Sequence, residues 1–331
     1  MTKIFNIFAF ILSCVCCINC SSLSSKTPVI FDTDANNEVD DQHAMAYLFM
    51  SGETFDLKGV TVNATFNGGN IDEQHAEADR LVRLCNVSGI PIMRGANGNF
   101  VTITPTIDKP GFDGNEAVNF IISQAKALKG EKLVVIAVGK LTNIALAVKK
   151  DPSIIDKIRL VWLGSNYPEQ GEYNLENDVA SMNYLLDTDI EFEIVTVRYG
   201  KPSGTAAVIA YKEDILQKMP GKGPVVNEAV TGRHGNKFTC FGDYSVNLFE
   251  ECDCYTIPPG RPLFDMAAVA IVKNPSWAEV RTIPAPIMID QKWVERSGNK
   301  RTVKIWENFD INKILNDFYR TMDDYTLVEV K

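Results

Sequence analysis

Residues 28–41 read PVIFDTDANNEVDD, an apolar run that ends in Asp32, Asp34, Asp40 and Asp41 with Glu38 among them. Carboxylates crowded this closely raise one another's pKa unless something positive sits between them. The stretch therefore reads as one side of a cation site. On its own it leaves open whether that cation serves phosphate chemistry, sugar chemistry or stability alone.

The acids need elements that hold them. Residues 28–31 form a short apolar strand, and a helix is expected over about 41–50. Residues 57–64 read as a second strand, and 71–84 as a helix with Ala76, Leu81 and Leu84 on one side. The run LVVIA at 133–137 is uninterruptedly apolar, as expected of a strand buried on both faces of a parallel sheet. The turn Val138-Gly139-Lys140 then opens a helix, LTNIALAVKK, which Asp151-Pro152 ends. Residues 160–163 and 191–197 are further strands. The alternation predicts an α/β fold: an open, mostly parallel, doubly wound sheet in a single domain over 28–331. In such sheets ligands collect beyond the carboxyl ends of the strands. Asp32 and Asp34 lie at the first of these ends and Asn67-Gly-Gly-Asn70 at the second. Thr142-Asn143 follows LVVIAVGK, Gly164-Ser-Asn166 follows LVWL, and Glu172-Tyr-Asn174 lies in the same loop. The strand ends converge on one polar pocket.

The chain has 331 residues, 45% of them hydrophobic, and a formal net charge of −9, which excludes a polyanion binder relying on basic tracts. MTKIFNIFAFIL is too short to span a bilayer but suits a secretory leader, so residues 1–20 are expected to be a signal peptide or lipoprotein leader and 21–27 a linker. Ile11-Leu12-Ser13-Cys14 resembles a lipoprotein cleavage box, which makes Cys14 a candidate lipid anchor, with Cys20 a poorer match. Export to a periplasm, cell envelope or medium is the expectation. Of the remaining cysteines Cys85, Cys240, Cys252 and Cys254, the last three are read as a disulfide pair or thiols, since Cys252-Asp-Cys254 has the wrong spacing for a zinc knuckle.

An apolar strand ending in Asp-x-Asp has two readings. One resembles the haloacid-dehalogenase-type phosphatases, a metal-dependent phosphohydrolase; it leaves Asp40-Asp41 and the Thr142-Asn143 loop unexplained. The other resembles the nucleoside hydrolase family over nearly the whole mature length. Its blocks match Asp32-x-Asp34 with Asp40-Asp41, Gly69-Asn70, Ile90 to Gly95, Gly139 to Asn143, Glu172-Tyr-Asn174 and Pro262-Leu-Phe-Asp265 in order. The resemblance implies a calcium-dependent enzyme that hydrolyses the N-glycosidic bond of ribonucleosides. It implies that Asp34, Asp41, Asp265 and the main-chain carbonyl of Thr142 hold the ion, an all-oxygen set that suits Ca²⁺ better than Mg²⁺ or Zn²⁺. Asp40, Asn70, Glu172 and Asn174 would bind the sugar. Asp34 would deprotonate an ion-activated water that attacks C1′. A small-molecule nucleoside or riboside is the partner implied, in a dimer or tetramer.

Two departures stand out. Five residues, Ala35 to Val39, separate Asp34 from Asp40 where the family usually has three. Phe264 occupies the position before the late Asp where many members carry a His that helps the departing base. His234, Tyr173 and Phe264 are the candidate leaving-group or base contacts. Because of Phe264, a non-catalytic ribose- or nucleoside-binding protein is a second expectation.

Overall fold

The structure, a computed structural model, describes residues 26–37 and 39–329. The expected leader, Cys14, Cys20, the linker up to residue 25 and Glu38 lie outside the described residues.

Eight strands form the central sheet: β1 (Thr27–Thr33), β2 (Phe55–Val62), β3 (Ile92–Arg94), β4 (Leu133–Ala137), β5 (Ile158–Leu163), β6 (Glu191–Val195), β7 (Glu279–Pro284) and β8 (Thr302–Glu307). Their spatial order is β7-β8-β6-β5-β4-β1-β2-β3. All neighbours are parallel except β7 against β8, which are antiparallel. The open, mostly parallel sheet read from the sequence is therefore present. The edge formed by β7 and β8 was not foreseen, because EVRTIP and TVKIWE each carry two charged residues and lack the apolar run that marked β4.

The sheet is doubly wound, and its sequence says which side each residue faces. Val29 and Phe31 of β1 and Val134 and Ile136 of β4 enter one buried cluster. Their alternates Ile30, Leu133, Val135 and Ala137 enter the other. The period of two thus feeds two cores from one run, each buried aliphatic side chain contributing roughly 1.5–3 kcal/mol. Helix α1 (Val39–Phe49) and helix α2 (Ile71–Leu84) pack into the first cluster; helix α3 (Thr142–Lys150) packs into the second. Helix α4 (Phe264–Lys273), almost entirely apolar, is buried beside α1. α2 runs over the residues expected, whereas α1 begins before Asp40 and β6 stops at Val195.

The chain runs from β1 outward to β2 and β3, then returns to place β4 on the other side of β1. Loops leaving β1 and β4 therefore diverge and open a crevice at the carboxyl end of the sheet. The acidic stretch lies there.

Candidate active site

β1 delivers its two aspartates to different tasks. Asp32, still within the strand, is fully buried and accepts from Thr61 Oγ1 at 2.6 Å, Asn63 Nδ2 at 2.8 Å and Asn143 Nδ2 at 2.7 Å. These bonds tie β1, β2 and α3 together. Burial nonetheless pushes its carboxyl up to about 7. Asp34, one residue beyond the strand, lines a cavity of about 190 Å³. Thr65 Oγ1 donates to Asp34 Oδ2 at 2.5 Å, and burial raises this acid to about 6. Gly139 lets the backbone after β4 pass close by: a Cβ there would meet Asp34 Oδ1 and Asn63 Nδ2 at 2.8 Å each.

Asp40 and Asp41 occupy the first turn of α1, and Asp265 the first turn of α4, so two helix N-termini face the acids. Carboxylate oxygens of Asp40, Asp41 and Asp265 lie within 4.8 Å of one another. Burial and the charges of the neighbouring carboxylates push Asp41 and Asp265 well above the usual range, and Asp40 up to about 7. Thr33 Oγ1 donates to Asp41. Among the described residues no lysine or arginine forms an ion pair with Asp34, Asp40, Asp41 or Asp265. Lys140 and Arg233 act on Asp34 and Asp41 only through space. Lys140 spends its ammonium on the carbonyls of Asn97 and Gly98. So many buried carboxylates without a paired side-chain cation, all offering hard oxygens, fit a divalent metal ion.

The opposite wall is polar and then aromatic. Glu172 caps the short helix Tyr173–Asn177, accepting the N–H groups of Ser165 at 2.8 Å, Asn174 at 3.0 Å and Leu175 at 2.9 Å; burial pushes it up to about 7. Asn174 Nδ2 bridges the carbonyls of Val138 at 2.8 Å and Leu163 at 3.2 Å, joining the ends of β4 and β5. Tyr173 OH accepts from the Asn67 N–H at 2.8 Å. Phe264 lies edge-to-face with Tyr199, ring centroids 5.9 Å apart, and the Arg261 guanidinium stands 4.9 Å from the Tyr255 ring centroid.

Of the residues expected at the site, the structure brings Asp34, Asp40, Asp41, Glu172, Tyr173, Asn174, Phe264 and Asp265 to one cavity. Three go elsewhere. Thr142 opens α3 with its hydroxyl donated to Asp178 at 2.6 Å and is absent from the cavity wall; Val138, at the end of β4, lines it instead. Asn70 is exposed and caps α2, its side-chain oxygen accepting from the N–H groups of Asp72 and Glu73 in a capping box. Asn67 of the same loop lines the cavity in its place. His234 is exposed and lines an adjoining cavity with Arg233 and Cys252. His43 is a core residue: it bonds the Val39 carbonyl and Ser245, packs among Phe241, Phe249 and Phe318, and is pushed down to about 4 by burial. Trp162 is likewise core, its indole N–H donating to the Gly139 carbonyl at 2.9 Å. Tyr167 and Tyr244 lie off the cavity wall, bonded to Glu295 and Glu77. Cys252 and Cys254 stand as thiols with Sγ atoms 3.3 Å apart. Sequence reasoning missed Asn37, Thr65, Tyr199, Tyr255 and Arg261. Only Thr65 carried a signal, its place just beyond β2.

Residues 29–316 match the sequence model of a family described as inosine-uridine preferring nucleoside hydrolase. A probable uridine nucleosidase 1 of Oryza sativa subsp. japonica is 26% identical over 228 residues, covering 60% of this chain and 65% of that protein. The inosine-uridine preferring nucleoside hydrolase of Crithidia fasciculata is 23% identical over 179 residues, 49% of this chain and 54% of that protein. The matched region thus spans less than two thirds of the length of these relatives. Among solved structures, the plant nucleoside hydrolase PpNRh1 superposes with a TM-score of 0.69 at 17% identity, over 90% of this chain and 99% of that one. A purine-preferring ribonucleoside hydrolase from Gardnerella vaginalis gives 0.68 at 19% identity, over 89% and 98%. At these identities the superpositions speak for the fold.

Proposed function

The chain belongs to the inosine-uridine preferring nucleoside hydrolase family, and from that premise we propose that it hydrolyses the N-glycosidic bond of ribonucleosides with the help of Ca²⁺. The observation that carries the reading is the cluster of buried acids at the ends of β1, α1 and α4, with Glu172 and Asn174 across the cavity and aromatic rings beside them.

Asp34, Asp41 and Asp265 would hold the ion, with the Val138 carbonyl as the main-chain oxygen on the wall. When bound, the ion supplies a Lewis acid that makes water more acidic and an anchor for a vicinal diol. Asp34 is the base. Thr65 holds one of its oxygens, which orients the carboxylate to take a proton from the attacking water. Asp40, Glu172 and Asn174 bind ribose hydroxyls: Glu172 is locked by three backbone N–H groups and Asn174 by two carbonyls, so neither must reorganise as sugar enters. As the glycosidic bond stretches, positive charge grows on C1′ and the ring oxygen, and the surrounding carboxylates stabilise it. Phe264, Tyr173, Tyr199 and Tyr255 form the wall against which a planar base stacks.

The test is reducing-sugar release from inosine, uridine and p-nitrophenyl riboside, with chelator, with added Ca²⁺ and with added Mg²⁺. Release that chelator stops and Ca²⁺ restores best is expected. Chelator-sensitive ribose binding without release from any riboside would make this a binding protein. Phosphate release from sugar phosphates would overturn the glycosidase reading.

A further inference from the structure

Hydrolysis of an N-riboside leaves one electron pair to place. When the C1′–N bond breaks, the pair stays on the base nitrogen, and the base leaves as an anion unless a proton travels with it. On the sugar side the cavity wall is acidic, and the acids' strongest charged neighbours are largely one another. Among the described residues the wall holds no histidine and no lysine, and its one cation is Arg261.

Arg261 is built into the wall. It lies on the three-residue strand Gly260–Pro262, which pairs antiparallel with Ile209–Tyr211, and it is 7% exposed. Its Nη1 donates to the Asp253 carbonyl at 3.2 Å, and its guanidinium lies over the ring of Tyr255. Three positions later Phe264 opens α4 on the same wall in contact with Tyr199, and Asp265 follows it. Cation and aromatic rings thus share the region where a flat base would stack. A guanidinium stays charged at any pH the protein tolerates and donates in the plane of a heterocycle.

We propose that Arg261 is the leaving-group residue, stabilising the departing base as its anion by charge and N–H donation. The inference rests on the hydrolase reading above. The bonds balance as follows: C1′ gains the water oxygen, Asp34 takes that water's proton, the C1′–N pair passes to the base, and the anion is protonated from solvent after release. No side-chain acid has to deliver a proton.

The experiment compares wild type, R261Q and R261K on uridine and on p-nitrophenyl riboside, whose nitrophenolate leaves without help. R261Q should lose kcat/KM on uridine on the order of 100-fold, and at least about tenfold more than on the activated riboside. R261K, which keeps the charge, should recover part of the uridine loss. Wild-type kcat/KM on uridine should show no alkaline fall attributable to an acid. Thermal melts of the variants identify any loss of fold, and R261K then carries the comparison. Equal losses on both substrates, no loss at all, or an alkaline fall that uridine shows and the activated riboside lacks would each overturn the assignment. Wild-type protein that releases sugar from neither substrate would sink the hydrolase reading, and this inference with it.

Discussion

Replacing Asp41 by Asn should stabilise the metal-free protein and abolish its response to the ion. In chelator, Asp41 faces Asp40 and Asp265 with carboxylate oxygens within 4.8 Å. Two unit charges at that distance repel by about 3 kcal/mol at an effective dielectric near 20. Asp41 has two such neighbours, but they are partly protonated near neutral pH, since Asp40 rises to about 7. Asp41 is itself pushed well above the usual range and so carries only part of a charge near neutral pH. The relief is therefore small there and at most about 3 kcal/mol once the cluster is ionised. Asn keeps an oxygen to accept from Thr33, so the local bond survives. At about 2 °C per kcal/mol for a chain of this size, D41N in chelator should melt up to about 6 °C above wild type at the alkaline end of the range. The sign of the pH dependence follows from the acids. Asp32, Asp34 and Asp40 have folded pKa values of about 6–7, above their unfolded ones, so the folded state binds more protons. Their contribution is fully present below the unfolded values near 4 and is lost as pH rises through 6–7. The gap between D41N and wild type should accordingly close toward pH about 5 and open toward about 8. Excess Ca²⁺ should raise the wild-type melting temperature and leave D41N nearly unmoved, reversing their order. Differential scanning calorimetry in chelator and in Ca²⁺ reads all of this. If D41N melts at or below wild type in chelator at the higher pH, or both proteins gain equally from Ca²⁺, the acids are not an electrostatically strained ion cradle.

Asp34→Asn should lower kcat on uridine by at least about 1,000-fold by removing the base; normal turnover in that variant would mean another group takes the proton. Phe264→Ala should raise KM for uridine by roughly tenfold through lost stacking while leaving competitive inhibition by free ribose much less changed. An equal loss of ribose affinity would move Phe264 to the sugar side. Far from the site, Glu193 is fully buried and accepts from Arg159 at 2.9 and 3.0 Å, Lys304 at 2.9 Å and Trp306 Nε1 at 2.7 Å. Glu193→Gln should cost about 3 kcal/mol in urea unfolding at neutral pH. The bonds hold Glu193 below its usual pKa, so its contribution exists above the unfolded value near 4.5 and fades as pH falls; an unchanged urea midpoint at neutral pH would refute the network's weight.

What could be read from the sequence depended on whether a residue's task was local. Asp34, Asp40, Asp41 and Glu172 sit where a strand ends or a helix begins, and an apolar run followed by acids marks such places directly. Thr142, through its main-chain carbonyl, and Asn70, through its side chain, were expected at the site as well, yet neither lines the cavity. Thr142 answers to Asp178, which lies 36 positions later. Asn70 caps its own helix, and a capping box was legible in Asn70 to Glu73. Arg261, Tyr199 and Tyr255 come from loops and a short strand whose pairing, Arg261 with Ala210, spans about fifty positions and leaves no periodic trace. Trp306 and Glu193 meet only because β8 joins the sheet beside β6, an event that neither segment's pattern encodes.

The long connection between Asp34 and Asp40 shows how such distant choices act together. It does not hang in solvent: the Asn36 N–H donates to Gln74 Oε1 at 2.7 Å and Asn36 Nδ2 to the Gly68 carbonyl at 2.7 Å. The Asn36 carbonyl accepts from Arg233 at 3.2 Å, and Gln42 donates to the Ala35 carbonyl at 3.0 Å. Anchored on α2, on the loop after β2 and on the hairpin at 230–238, the connection sets Asn37 on the wall of both the main cavity and the one that holds His234. Arg261 borders the same two cavities. A lengthened loop on one side and an arginine on the other therefore frame one boundary, and the Arg261 proposal places the base-side chemistry there rather than at Phe264. If Arg261 serves the leaving group as proposed, the departure at Phe264 and the longer loop belong together: the polar contact on the base would lie on the strand just before α4 rather than at its start, at the boundary that Asn37 also lines.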